Sequence, residues 1–272
     1  MRDNLPAPAD GPFALPGHRV LALEGRDATA FAQAQFMNDV AALVDRHWQW
    51  NGWLTPKGRV VALFALMRLD AGRVWLVLPD SDPEALAAQL QRFVFRAKVT
   101  LAVRGDLVVS GAYAAPATAR GTALAGDADR GFELDHGGAG GPRTLRIAPG
   151  GAVPADDAAV ARWRAEDLVH GLPRLDAAQS EQWTPQMLSL ERLRAFSVRK
   201  GCYPGQEIVA RTHFLGKQKR ELVLLRGDAP FEAGGDIASV ASVGSRHLAL
   251  AVRGVERDPD PAEMPLLDGL AR

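Results

Sequence analysis

The apolar runs of this chain are short, and this feature limits its fold more than any other. The longest, VVALFALM at residues 60–67, is far below the ~20 residues that a membrane-spanning helix needs. Turn-forming residues separate the runs, among them 27 glycines and 18 prolines. The runs lack the long regular strand–helix spacing of a doubly wound sheet. They therefore predict packed α+β lobes.

Length and charge narrow the class of protein further. A chain of 272 residues can bury a sizeable core in two or more lobes. Because 32 basic residues balance 32 acidic ones, no overall field favours nucleic acid or an anionic membrane. Residues 1–17 read as a loose arm rich in proline, with acids and no apolar segment, so we expect neither secretion nor organelle import. The single cysteine excludes an internal disulfide and a multi-cysteine metal site, and it fits the cytoplasm.

Local patterns predict the main elements. A strand at 19–23 leads into a helix, and a hairpin joins 60–69 to 73–78. A second helix opens at residues 81–84, and its apolar face is Leu86, Leu90, Phe93 and Val94. Further helices are predicted at 154–168 and 185–196, with a flexible glycine-rich tip at 136–141 between short strands. After Thr212, short strands separated by glycine predict a small antiparallel barrel or sandwich.

The only cysteine lies in the stretch RKGCYPGQEIVART, residues 199–212. Tyr203, Pro204 and Gly205 predict a type II turn, and a helix can begin at Gln206. A helix N-terminus and the nearby Lys200 both stabilise a thiolate over a thiol. Gly201 leaves room for close approach. A reactive Cys202 is one interpretation; a small buried hydrophobe is the other, and the commoner role of a lone cysteine. No histidine is paired with it by sequence, so a Cys–His hydrolase is unsupported.

The string KGCYPGQE resembles the signature Lys-Gly-Cys-Tyr-x-Gly-Gln-Glu of the YgfZ family of folate-binding proteins, which are related to the glycine-cleavage T-protein. The resemblance extends over most of residues 20–253. Further stretches that look like the family's are QFMNDV at 35–40, KGRV at 57–60, GLP at 171–173, DAA at 176–178, PQM at 185–187 and ARTH at 210–213.

The resemblance implies an α+β fold, a ring of three domains around a central folate pocket. The first domain would be split between residues 18–47 and 111–200, with the second domain, 48–110, inserted into it. The third, residues 201–272, would be a C-terminal antiparallel β-barrel that begins with the signature.

The resemblance also implies a function. Family members support assembly or repair of iron–sulfur proteins, and through them tRNA modification by iron–sulfur methylthiolases. The expected cofactor is tetrahydrofolate or a one-carbon derivative, and the expected partners are iron–sulfur client proteins. The functional thiol would be Cys202, assisted by Lys200. The expected folate-binding residues are Asn38, Asp39, Lys200, Gly201, Tyr203, Gln206, Glu207 and Arg211; no metal ligands are assigned.

Two other functions remain open. The T-protein uses an aspartate on the strand after a glycine-containing turn, but the matching strand here, residues 60–64, is apolar. The T-protein's pterin-binding glutamate is replaced by Val169. Both departures argue against an aminomethyltransferase, and whether the protein is an enzyme stays open.

The other function is tRNA binding through a basic segment. Its residues are Arg192, Arg194, Arg199, Lys200, Arg211, Lys217, Lys219 and Arg220. They could contact phosphate, bind a folate polyglutamate tail or be a solvated surface, and the neutral net charge favours the last two.

Overall fold

The structure, a computed structural model, describes residues 11–216, 219–258 and 260–272. The greater part of the predicted N-terminal arm, and Lys217 of the basic segment, lie outside the described residues. No helix in the described ranges is long and apolar enough to cross a membrane.

The described chain contains fourteen strands and four α-helices. The strands are β1 (Phe13–Ala14), β2 (Arg19–Glu24), β3 (His47–Leu54), β4 (Val60–Asp70), β5 (Arg73–Leu78), β6 (Thr100–Val103), β7 (Leu107–Ala112), β8 (Ala125–Asp127), β9 (Gly131–Asp135), β10 (Thr144–Pro149), β11 (Arg220–Gly227), β12 (Ile237–Val243), β13 (Arg246–Gly254) and β14 (Glu263–Met264). The helices are α1 (Ala28–Gln35), α2 (Pro83–Gln91), α3 (Asp157–Val169) and α4 (Gln206–Phe214).

The strands form three antiparallel sheets, as the α+β prediction requires. Their orders are β3-β4-β5-β2-β6, β1-β7-β10-β9-β8 and β12-β13-β11-β14. The first of these sheets crosses the predicted domain boundary at residue 47, because β2 pairs with β5 and β6. The assignment of domains stays a prediction.

The C-terminal segment is antiparallel, as predicted, but its described strands form an open sheet of four. The edge strand β14 has only two residues, paired with Leu224 and Leu225 of β11. So short an edge cannot continue the pairing needed to close a barrel.

The predicted helix at 185–196 is wrong. The chain there forms turns and a short 3-10 helix, Leu190–Leu193, between Ser189 at φ 48° and Arg194 at φ 54°. The Ser189 hydroxyl accepts a hydrogen bond from the Leu222 backbone N–H at 3.0 Å. This contact with β11 holds the left-handed residue that interrupts the helix, and it cannot be seen in the local sequence.

The glycine-rich tip at 136–141 is held in place by specific contacts. The backbone N–H of Gly140 donates to His170 Nε2 at 3.1 Å, and that of Ala139 to the Asp268 carbonyl at 2.9 Å. A Cβ at Gly138 would lie 2.6 Å from His170 Nε2. Glycine is therefore required here for close packing against the end of α3.

One hydrophobic core joins the three sheets. It includes Trp50 of β3, Ile147 of β10, Leu250 of β13 and, at its centre, Trp163 and Leu168 of α3. The α3 helix thus lies where the sheets meet. Its N-terminus is capped by the Asp156 carboxylate, which accepts from the Ala159 N–H.

Candidate functional site

The thiol turn (residues 200–205) places Cys202 on the surface, between the buried Lys200 and Tyr203. Exposure of Cys202 rules out the buried-hydrophobe interpretation. Gly205, at φ 80°, ends the turn and precedes α4. A Cβ on Gly205 would lie 2.6 Å from the Thr55 carbonyl oxygen, so the turn packs directly on the loop between β3 and β4.

Lys200 anchors this turn to the end of α1. Its Nζ donates to the carbonyls of Gln33 and Phe36, both at 2.5 Å, and to that of Asn38 at 3.2 Å. Burial lowers the pKa of Lys200 to about 8. The Lys200 ammonium therefore binds carbonyls at the C-terminal end of α1, where the helix dipole favours a positive charge. A direct effect of Lys200 on the thiol stays a prediction.

Other predicted site residues surround this anchor and are held by internal hydrogen bonds. Asn38 donates from Nδ2 to the carbonyls of Trp50 at 2.9 Å and Arg194 at 2.7 Å. The Tyr203 hydroxyl donates to the Ser197 carbonyl at 3.2 Å. The hydrogen bonds of these side chains stabilise the thiol turn and the segments beside it.

Of the remaining predicted residues, some form hydrogen bonds that stabilise the thiol turn and its surroundings, and the others lie on the surface. Gln206 Nε2 donates to the Lys200 carbonyl at 3.1 Å, and Asp39 Oδ1 accepts from Gln33 Nε2 at 3.1 Å. Glu207 and Arg211 form an exposed pair along α4 at 3.3 Å. Gly201 faces open space, since a Cβ there would meet nothing within 4 Å. The surface beside Cys202 is therefore accessible to a ligand or partner.

A stack of flat side chains lies in the middle of the molecule. The Arg143 guanidinium is 4.7 Å above the Trp163 ring, and His136 stacks on Trp163 at 5.1 Å. Trp48 lies parallel to His136 at 6.3 Å, and all four residues are buried. We call these four residues the central stack.

The charges of the central stack converge on Asp167 of α3. Its carboxylate accepts from Arg143 at 2.7 Å and from Arg174 at 3.0 Å, and His136 Nε2 lies 3.4 Å away. Burial alone would raise the pKa of Asp167, but Arg143, His136 and Arg174 hold it well below its usual range. Arg174 also pairs with Asp80 at 2.8 Å, so each of the two buried guanidinium groups has a carboxylate partner.

His136 is neutral in this setting. Burial, together with Arg143, lowers the pKa of His136 to about 4. Since Nε2 faces a carboxylate, we assign the ring proton to Nε2, which makes Nδ1 a bare acceptor. Within the described part of the chain, neither Nδ1 nor the Nε1 donor of Trp163 has a hydrogen-bond partner. An unpaired acceptor and an unpaired donor thus lie in the same buried region, which is uncommon in a folded protein.

Two cavities adjoin these unpaired groups. The inner cavity, about 10 Å³, is lined by Trp50, His136, Asp167 and His18. The outer cavity, about 220 Å³, is lined by Trp163, Arg174, Pro79 and His18. His18 and Pro79 belong to both linings, so the two cavities are neighbours. Asn38, which supports the thiol turn, is also bonded to the Trp50 backbone and so connects the turn to the inner cavity wall.

The sequence prediction missed every residue of this central region. One available signal was the spacing of Trp163 and Asp167, four apart on α3, which places them on one helix face. That they meet Arg143, His136 and Arg174 depends on the packing of distant segments.

Comparison with solved structures identifies the fold as that of an aminomethyltransferase. The crystal structure of glycine cleavage system aminomethyltransferase T from Bartonella henselae superposes with a TM-score of 0.64, covering 93% of this chain and 80% of that one. At 16% identity this likeness establishes the fold. No family model matches the sequence.

Curated relatives give the family. The chain is 30% identical to tRNA-modifying protein YgfZ of Klebsiella pneumoniae (strain 342) over 240 residues, 79% of this chain and 72% of that protein. It is 27% identical to tRNA-modifying protein YgfZ of Colwellia psychrerythraea over 237 residues, 78% and 71% of the two chains. The chain belongs to the YgfZ family, as the signature segment predicted.

Proposed function

We propose that this protein is a cytoplasmic, folate-binding accessory protein that supports iron–sulfur proteins and, through them, tRNA modification. The observation that carries the proposal is a pair of neighbouring cavities, one lined by His136 and the other by Trp163, whose Nδ1 and Nε1 atoms have no hydrogen-bond partner among the described residues. Relatives called tRNA-modifying proteins and an aminomethyltransferase fold support the wider role.

The chemistry of the cavity wall fits one end of a folate. A pterin is a flat ring with donors and acceptors along its edge, and it suits stacked aromatic walls that offer an unpaired donor and an unpaired acceptor. The outer cavity of 220 Å³ is smaller than a typical site for a whole ligand, roughly 300–1,000 Å³, and would hold only the ring system. Trp163, His18 and His136 are the residues that would bind it.

Calorimetry with tetrahydrofolate tests the binding. We expect saturable binding of roughly −5 to −8 kcal/mol, the range of a working metabolite site. The variant Trp163→Phe keeps a flat ring and loses the donor, so it should bind about 5- to 10-fold more weakly. Trp75→Phe, a buried tryptophan outside both cavity linings, is the control and should bind normally. If millimolar tetrahydrofolate produced no heat and no thermal shift, folate binding would be refuted.

Cys202 is the proposed functional thiol. Because Cys202 is exposed, Cys202→Ala should fold with a change in unfolding free energy within about 0.5 kcal/mol. The variant should bind tetrahydrofolate and yet fail to restore iron–sulfur enzyme activity in a strain lacking the protein. Full complementation by Cys202→Ala would remove the thiol from the proposed function.

Aminomethyl transfer is not part of the proposal. The strand where the T-protein resemblance would place an aspartate is the start of β4, residues 60–64, whose side chains are all apolar. Such side chains cannot hold a charge or relay a proton. We expect no turnover with glycine-cleavage H-protein and tetrahydrofolate, and measurable turnover would favour the enzyme alternative.

A further inference from the structure

The loop that follows α2 exposes two aromatic rings. The sequence pattern places Phe93 and Val94 on the apolar face of the second helix, but α2 ends at Gln91, and residues 92–98, RFVFRAK, form a loop. Phe93 is 49% exposed and Phe95 is 85% exposed. Large apolar side chains at such exposure carry a cost in water unless a partner covers them.

Cations alternate with these rings along the loop. Arg92, Arg96 and Lys98 are exposed, and none of the three forms an ion pair with a described residue. The Arg96 guanidinium lies 5.4 Å from the centre of the Phe95 ring. The acid beside the loop, Asp27, accepts from the Lys98 backbone N–H at 2.7 Å and is 3.6 Å from Arg26. The surface is therefore aromatic and positively charged.

The 92–98 loop is connected to the thiol turn through three successive contacts, which pass through buried residues. The Phe93 ring packs edge-on against Trp53 at 6.0 Å, and Trp53 pairs through its backbone with Phe36. The carbonyl of Phe36 is one of those that bind the Lys200 ammonium.

We propose that the 92–98 loop binds single-stranded RNA. In a single strand, bases alternate with phosphates, and an alternation of exposed rings and cations matches both. Bases would stack on Phe93 and Phe95, while Arg92, Arg96 and Lys98 neutralise phosphates. A membrane is favoured less, because interfacial binding uses the wide apolar face of a helix and this loop offers two separated rings. The inference does not depend on folate binding.

The test is fluorescence anisotropy of the full chain with a labelled short single-stranded RNA of mixed sequence. Phe95→Ala should weaken binding about 5- to 100-fold, the loss expected for one stacked base. Arg96→Gln should reduce the slope of log K against log salt by about 0.7, as for one phosphate on a single strand. Phe214→Ala and Arg130→Gln, exposed residues of the same types elsewhere, are the controls and should change neither quantity. Circular dichroism checks that each variant is folded.

Each other outcome overturns the proposal. If the wild-type protein does not bind the RNA, or if Phe95→Ala binds within twofold of it, the rings do not stack on bases. If Phe95→Ala and Phe214→Ala lost the same amount of RNA affinity, the 92–98 loop would not be the RNA-binding site. Binding of vesicles containing anionic lipid, lost in Phe95→Ala while RNA binding is unaffected, would assign the loop to a membrane.

Discussion

At the residue scale, Lys200 and Cys202 lie two positions apart but have different roles. The exposed thiol is available for chemistry, whereas the buried ammonium holds three carbonyls near the end of α1. The lysine of the signature segment is therefore explained by the anchoring of the turn, whatever its effect on the thiol.

Replacement of Lys200 should destabilise the protein. Lys200→Met keeps most of the apolar stem and removes the donors, so three carbonyls lose a charged partner, at a cost of about 2–3 kcal/mol in unfolding free energy. Urea denaturation measures the change, with the exposed Lys57→Met as the control, expected within about 0.5 kcal/mol. A stability equal to that of the wild type would show that the anchor is unimportant to the fold.

The buried His136 predicts how stability depends on pH. Its pKa is about 4 in the folded protein against an ordinary 6.5, so the unfolded state binds more protons between these values. The free energy of unfolding should therefore fall as pH is lowered from 6.5 to 4, with a contribution from His136 of roughly 3 kcal/mol. Burial lowers the pKa of His18 and His170 in the same direction.

Chemical denaturation at a series of pH values tests the assignment to His136. His136→Gln should make the dependence shallower across this window, whereas His213→Gln, at an exposed position, should leave it unchanged. An unaltered slope in His136→Gln would mean that the other buried groups account for the effect.

At the scale of elements, the glycine-rich connection between β9 and β10 depends on close approach to α3. In Gly138→Ala the new methyl would lie 2.6 Å from His170 Nε2, and such overpacking costs typically about 1–3 kcal/mol. Thermal unfolding measures the loss. Gly105→Ala is a matched control, since a Cβ there meets nothing within 4 Å. In the double variant with His170→Ala, part of the Gly138→Ala penalty should disappear, and strict additivity of the two losses would argue against this contact.

At the scale of the whole molecule, the charges around Asp167 connect all three sheets. Arg174 bonds to Asp167 and also to Asp80, which follows β5. Its backbone N–H donates to the Ser239 hydroxyl of β12 at 2.9 Å, and Arg143 precedes β10. One buried carboxylate thus fixes how segments from different sheets meet.

Asp167→Asn should therefore affect the entire fold. It preserves shape but removes the carboxylate that pairs with the buried Arg143 and leaves Arg174 paired with Asp80 alone, a loss of about 3–5 kcal/mol. Denaturation should show a lower midpoint in one cooperative transition, because the groups that lose their partner belong to different sheets. Asp106→Asn removes an exposed carboxylate that pairs with Arg104, and it should cost at most about 1 kcal/mol. A mild loss in Asp167→Asn, similar to this control, would indicate that the network contributes little.

The sequence alone determined the features that depend on local chemistry. Alternating apolar runs and turn residues predicted the hairpin of β4 and β5, and Pro204 and Gly205 predicted the turn before α4, because each depends on residues close in the chain. The eight residues of the signature segment sufficed to predict the family. The tertiary structure decided that Lys200 is an anchor, that Phe93 and Phe95 are exposed, and that Ser189 interrupts a predicted helix. It also assembled Arg143, His136, Trp163 and Asp167 into one buried region. These outcomes depend on contacts between segments far apart in the chain, and local propensity carries no information about such contacts.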